Sequence, residues 1–114
     1  MTYASNGAAI IGSSIVPASE VLVLRTLVLM GRPATVPEIA IAMSEVFSDA
    51  SLYTLLARLK EKRGLVTREE AMLEVHGRPV RRVRWSAHQM ATAFFIDKEL
   101  DDEVHGIKGV EVPG

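Results

Sequence analysis

Apolar residues recur at helical spacing in three segments of the first half of the chain. Residues 19–30 are apolar almost all round and end before a glycine, which predicts a first helix. A second, short helix is predicted from Val36, with a proline in its first turn. A third helix begins at a cap provided by Ser48 or Asp49. Its buried face is a leucine stripe at i, i+3, i+4 and i+7 spacing: Leu52, Leu55, Leu56 and Leu59.

Beyond Gly64 the apolar period shortens to two. Residues 65–75 and 80–86 are therefore predicted to be the two strands of a hairpin. A three-residue loop over 77–79 would place Leu73 opposite Val83, so that both face the core. The sequence thus predicts a hairpin with an odd loop.

The order of these segments predicts the fold. Helical spacing returns over residues 87–100, so the order is helix, helix, helix, hairpin, helix. With a short turn between the second and third helices, this order is typical of a mainly α domain with a small β-hairpin, the winged helix-turn-helix. We assign the domain to residues 18–103, between a flexible N-terminal arm at 1–17 and a flexible C-terminal tail at 104–114.

Composition narrows the class of protein. A chain of 114 residues, 48% hydrophobic and 24% charged, fits one small globular domain. The absence of cysteine excludes disulfides, thiolate metal sites and a cysteine nucleophile. Residues 21–30 form the longest apolar run, well short of the roughly 20 residues that a bilayer requires. No basic secretory leader precedes it, and we expect a cytoplasmic protein without membrane contact.

Charge is distributed unevenly along the chain. Nine Lys or Arg and four Glu lie between residues 58 and 84, a local balance of +5 against −1 for the whole chain. In a winged helix this region forms the end of the third helix and the hairpin, which are the parts that meet duplex DNA. Hydroxyl, aromatic and arginine side chains there suit phosphates and base edges. The candidate DNA-contact residues are Ser51, Tyr53, Thr54, Arg58, Arg78, Arg81 and Arg82.

Structural alternatives stay open for several of these side chains. Arg82 and Arg84 could instead pair with Glu74 and Glu70 across the hairpin, as on a solvated strand face. Tyr53 could be half-buried packing. Arg78, at the tip of the hairpin, is the hairpin arginine for which a purely structural role is least expected.

Nothing in the sequence favours catalysis. The three histidines, His76, His88 and His105, are far apart and lack a second ligand at metal-binding spacing. Glycine-rich phosphate loops and nucleophile elbows are absent. We therefore expect neither an enzyme nor a bound metal or cofactor.

The first and last helices carry more apolar surface than one small core can cover. This surplus predicts a homodimer. The candidate interface residues are Leu22, Leu29, Phe94, Phe95 and Leu100.

Two stretches resemble a known family. Residues 51–66 read SLYTLLARLKEKRGLV and residues 77–86 read GRPVRRVRWS. They resemble the PadR-like family of bacterial winged-helix transcription regulators, in which such a recognition helix precedes a wing with glycine-arginine-proline at its tip. The resemblance implies a homodimeric repressor, with Ser51, Tyr53, Thr54 and Arg58 as recognition-helix contacts and Arg78 as a wing contact. Some members release DNA on binding small aromatic ligands, so such an effector is a candidate partner.

Pattern and resemblance together predict a sequence-specific transcriptional regulator that binds double-stranded DNA. Its third helix would enter the major groove, and its hairpin would lie on the backbone or in the minor groove. The alternative is a winged-helix adaptor that binds another protein, without DNA, through the first helix or the uncharged N-terminal arm. The overall negative charge and the acidic tail support that alternative.

Overall fold

The computed structural model describes residues 7–96. Two hairpins flank three helices, and a last helix follows. The elements are β1 (Ala9–Ile11), β2 (Ser14–Val16), α1 (Ala18–Met30), α2 (Val36–Ala42), α3 (Asp49–Glu61), β3 (Val66–Val75) and β4 (Arg78–Ala87). Helix α4 begins at residue 89 and extends to residue 96, the last one described.

The predicted fold class, a mainly α winged helix-turn-helix with a small hairpin, is wrong. The described residues are 46% helical and 30% strand, with four helices and two antiparallel two-stranded sheets, which makes the domain mixed α/β. Two features account for the extra strand. Strand β4 spans residues 78–87 rather than the predicted 80–86, and a second hairpin forms in the segment predicted to be an arm.

That N-terminal hairpin is part of the core. Ala9, Ile11 and Val16 are at most 1% exposed and belong to the same apolar cluster as the helices. At the turn Gly12 has a φ of 62°, and a Cβ built there would lie 2.8 Å from Sδ of Met90, so the hairpin packs closely against α4. The prediction of an arm without regular structure is therefore wrong for residues 9–16.

Helix α1 follows the predicted segment but is not covered on all sides. Its C-terminus is closed by Gly31, whose φ of 66° is left-handed and whose N–H donates to the carbonyl of Leu27 at 3.2 Å. Val23 and Leu24 are fully buried. Other apolar side chains of the same helix face solvent, as described below.

Side-chain caps start α2 and α3. The Thr35 N–H donates to Oε1 of Glu38 at 2.9 Å, and the Glu38 N–H donates back to Oγ1 of Thr35 at 3.4 Å, a capping box. The bond from the Thr35 backbone, more than the nearby Arg32, lowers the pKa of Glu38 from its ordinary 4.5, against a smaller opposing effect of burial. At α3 the cap is Ser48, which accepts from the Ser51 N–H at 3.2 Å. The predicted leucine stripe of α3 is buried: Leu52, Leu55, Leu56 and Leu59.

The hairpin register differs from the predicted one. Leu73 pairs with Val80 rather than with Val83. The loop is two residues long, because His76 and Gly77 both adopt positive φ, 52° and 76°. Two left-handed residues form the tight turn whose twist matches that of the flanking strands.

The base of the long hairpin is anchored to the loop between α1 and α2. Ala34 and Trp85 exchange both backbone hydrogen bonds, at 2.9 and 2.8 Å. The Trp85 side chain is 5% exposed and packs into the core. None of the helices in residues 7–96 is both long enough and apolar enough to cross a bilayer.

Candidate nucleic-acid interface

One face of α3 is polar and open to solvent. The four predicted recognition-helix residues, Ser51, Tyr53, Thr54 and Arg58, are all exposed on it, opposite the leucine stripe. Tyr53 is 51% exposed, so about half of its surface is available to a partner. The Thr54 hydroxyl is oriented by the helix itself, since its Oγ1 donates to the Ala50 carbonyl at 3.2 Å, and the Ser51 hydroxyl accepts from Oγ of Ser48 at 3.1 Å. The structure thus exposes all four side chains, with Ser51, Thr54 and Arg58 at i, i+3 and i+7 spacing on one side of the helix and Tyr53 turned away from Ser51.

A shallow depression of about 270 Å³ lies beside this face. Its walls come from three places in the sequence, because α1, the α2–α3 turn and α3 meet there. It combines apolar carbon with hydroxyl groups and one guanidinium, a lining that suits the edge of a base or a phosphate. The lining residues are Ser19, Phe47, Ser51, Thr54, Leu55 and Arg58. Sequence reasoning missed Ser19 and Phe47, which belong to neither the third helix nor the hairpin.

Several arginines of the hairpin are neutralised within the chain. Arg84 contacts Glu69 at 2.7 Å, and Arg81 contacts Glu70 at 3.7 Å. Arg68 approaches the same Glu70 at 3.6 Å. The alternative pairings of Arg82 and Arg84 with Glu74 and Glu70 are not the ones formed, because the observed register places other residues opposite each arginine.

Four other cations of the same region have no carboxylate partner. Among the described residues, no acidic oxygen lies within 4.0 Å of their charged nitrogens. All four are exposed: one lies in the C-terminal half of α3, one is the residue just after that helix, and two lie on β4. They are Arg58, Lys62, Arg78 and Arg82, of which three were predicted as contacts from the sequence.

One cation of the basic region is turned inward. Nε of Arg63, just after α3, donates to Oε1 of Glu20 at 3.4 Å. The Glu20 side chain is only 2% exposed, whereas that of Arg63 is 25% exposed. The pair joins residues 43 positions apart, and no local pattern predicts it.

The predicted dimer contacts fall into three groups. Leu22 and Leu29 are 49% and 56% exposed on α1 and remain available to a partner. Phe94 and Phe95 are 2% and 3% exposed, in edge-to-face contact with ring centroids 4.9 Å apart. They fill the chain's own core, and their assignment to an apolar surplus is wrong. Leu100 lies outside the described residues.

Three further features of the described residues concern metal binding, buried polar atoms and a second depression. No three His, Cys, Asp or Glu side chains within residues 7–96 cluster closely enough to hold a metal ion. Two buried nitrogens in that part of the chain, Nε of Arg84 and Nε1 of Trp85, have no hydrogen-bond partner. A second depression of about 300 Å³ is formed where α1, β4 and α4 meet; its lining includes Leu27, Arg32 and Thr92.

Comparison with known proteins adds no family to this description. No protein-family model matches the chain, and no curated protein is significantly similar to it. The candidate function therefore depends on the residues and their geometry.

Proposed function

We propose that the protein is a sequence-specific regulator of transcription that binds double-stranded DNA. One observation carries the proposal: in a chain with a net charge of −1, four unneutralised cations are concentrated at the C-terminal end of α3 and on β4. A cation that is paired with a carboxylate of the same chain attracts an outside anion weakly, because the two charges largely cancel. An exposed cation without such a partner attracts phosphate. The protein acts by binding alone, in the cytoplasm, without catalysis or cofactor.

The exposed face of α3 supports insertion into the major groove. B-DNA admits a helix there, because the groove is about 12 Å wide. In this arrangement Arg58 would contact guanine or phosphate, and Ser51 and Thr54 would offer hydroxyls to phosphates or base edges. Tyr53, half exposed, suits a sugar or the methyl group of thymine. The β3–β4 hairpin then lies along the backbone or in the minor groove.

The proposal includes a homodimer that acts as a repressor, as the PadR-like resemblance implies. Leu22 and Leu29 support it, since both are exposed on one side of α1 at a spacing of seven residues. A two-fold dimer would read two half-sites about 34–36 Å apart. A small aromatic effector remains part of the same proposal.

Fluorescence anisotropy with labelled genomic fragments, including the protein's own promoter region, tests the proposal. The titrations are run at two salt concentrations with competitor DNA. Arg58→Ala should weaken specific binding by about 1–3 kcal/mol, the range for a base-contacting arginine. Lys60→Ala is the matched control: Lys60 is exposed on the same helix as Arg58, but it is paired with Glu61 at 3.2 Å. The docking arrangement would be contradicted if the two variants weakened binding equally, or if the affinity did not change with salt concentration.

A protein-binding adaptor is the second candidate, and the N-terminal hairpin favours it. Ile10 and Ile15 pair directly across β1 and β2 and are 45% and 68% exposed. No side chain among residues 1–19 is charged. The same titration separates the candidates, because an adaptor would show no salt-dependent binding to duplex DNA.

A further inference from the structure

The two faces of the β3–β4 hairpin carry different charges. Side chains alternate between faces along a strand, and directly paired residues of antiparallel strands share a face. We name the faces after Trp85 and Arg82. The charged residues of the Trp85 face are Arg68, Glu70, Glu74 and Arg81, and those of the Arg82 face are Glu69, Arg78, Arg82 and Arg84.

Charge on the Trp85 face cancels. Its two arginines both contact Glu70, Arg68 at 3.6 Å and Arg81 at 3.7 Å, and Glu74 supplies a second negative charge. A polyanion approaching this face meets as many carboxylates as guanidinium groups. The Trp85 face therefore offers no net attraction to DNA.

Positive charge remains on the Arg82 face. It holds three arginines and one carboxylate, and the carboxylate of Glu69 is occupied by Arg84 at 2.7 Å. The residue opposite Arg82 is Ala71, and the one opposite Arg78 is Val75, so neither arginine has an acid across the ladder. The observed register is what leaves these two cations free.

Hydroxyl groups accompany the free arginines on the same face. Thr67 and Ser86 pair across the strands with their hydroxyl oxygens 2.8 Å apart. Hydroxyls and arginines are the groups that most often contact DNA phosphates. Arg78 and Arg82 are four residues apart, about 13 Å along an extended strand, so one face presents two separate phosphate contacts.

We propose that the phosphodiester backbone of DNA lies against the Arg82 face of the hairpin, with Arg78 and Arg82 as phosphate contacts. This inference rests on the proposed function and refines it. Arg81, grouped with them on sequence grounds, makes no such contact. The hairpin thus engages DNA through one face only.

Neighbouring arginines provide a matched test. Arg81 and Arg82 are adjacent, exposed and identical in charge, and they point to opposite faces. Binding to a genomic fragment is measured by anisotropy over a series of salt concentrations. Arg82→Ala should weaken binding several-fold at all sequences and reduce the slope of log K against log salt by about 1. Arg81→Ala should leave that slope unchanged.

Neighbouring glutamates provide a second, independent pair. Glu69→Gln removes the partner of Arg84 on the Arg82 face and should strengthen binding and steepen the salt dependence. Glu70→Gln removes a charge from the Trp85 face and should change neither. Circular dichroism spectra of all four variants are compared with that of the unmodified protein, to check that the secondary structure is retained.

The outcomes separate the two levels of the proposal. In one outcome, the unmodified protein binds DNA in a salt-dependent way while Arg81→Ala and Arg82→Ala reduce the slope of log K against log salt equally. That result would overturn the face assignment and leave the DNA-binding function standing. The face assignment is also overturned if Glu70→Gln strengthens binding more than Glu69→Gln. Absence of salt-dependent DNA binding by the unmodified protein overturns both.

Discussion

The buried ion pair between Glu20 and Arg63 should respond asymmetrically to the loss of either partner. Arg63→Met keeps the aliphatic length but leaves a carboxylate that is 2% exposed without its counter-ion. Removing one partner of a buried pair costs about 3–5 kcal/mol, and the lower value applies because Arg63 itself is 25% exposed. For a domain of this size, a loss of about 3 kcal/mol lowers Tm by at least about 12 °C.

Loss of the carboxylate should be milder. Glu20→Gln keeps the side-chain shape and a carbonyl oxygen that can accept from Nε of Arg63, while the guanidinium can hydrate through its exposed quarter. We expect a cost of about 1–2 kcal/mol, which includes the weaker interaction with the N-terminus of α1. The double variant should be less destabilised than the sum of the single ones, by about 1–2 kcal/mol.

Urea unfolding followed by tryptophan fluorescence measures these differences directly. Trp85 is the single tryptophan and is buried, so its emission reports loss of the core. A larger loss in Glu20→Gln than in Arg63→Met, or strict additivity in the double variant, would refute the reasoning from burial. Either result would mean that water reaches the Glu20 carboxylate.

Two further predictions address the hairpin register and the start of α2. Because the chain has no native cysteine, the double variant Leu73→Cys/Val80→Cys should form an intramolecular disulfide under mild oxidant, detected by mass spectrometry. The variant Leu73→Cys/Val83→Cys should not form a disulfide. If it formed one and Leu73→Cys/Val80→Cys did not, the three-residue loop predicted from the sequence would be correct. The lowered pKa of Glu38 stabilises the fold above its ordinary value of 4.5 and ceases to do so as the pH falls through the lowered value. Glu38→Gln should therefore be less stable than the unmodified protein at pH 7. The difference between their urea unfolding midpoints should shrink as the pH falls below 4.5. A difference that stays constant down to pH 3 would contradict this.

Local signals predicted the middle of the chain well. The leucine stripe of α3 is buried, and Ser48, one of two predicted caps, accepts the expected hydrogen bond. These features depend on neighbours in sequence, where periodicity and capping chemistry are informative. Exposure of the α3 polar face follows from the same periodicity.

Features that depend on distant residues were not predictable in this way. Phe94 and Phe95 belong to the same buried cluster as the hairpin at residues 9–16, and the strands of that hairpin are three residues long, too short to show alternation in the sequence. The register was missed because His76 adopts a left-handed conformation more typical of Gly or Asn. The pairing of arginines with glutamates then followed from that register rather than from composition.

The outer edge of β3 has a consequence for self-association. Within residues 7–96 β3 pairs only with β4, so along its ten residues one row of backbone N–H and C=O groups has no partner strand. Such an edge is a template for cross-β growth unless charges interrupt it. Arg68, Glu69, Glu70 and Glu74 all lie on this strand. Two of these residues, Glu69 and Glu70, also pair with hairpin arginines, so the same charges that hold those arginines should keep a long exposed strand from recruiting other chains into aggregates.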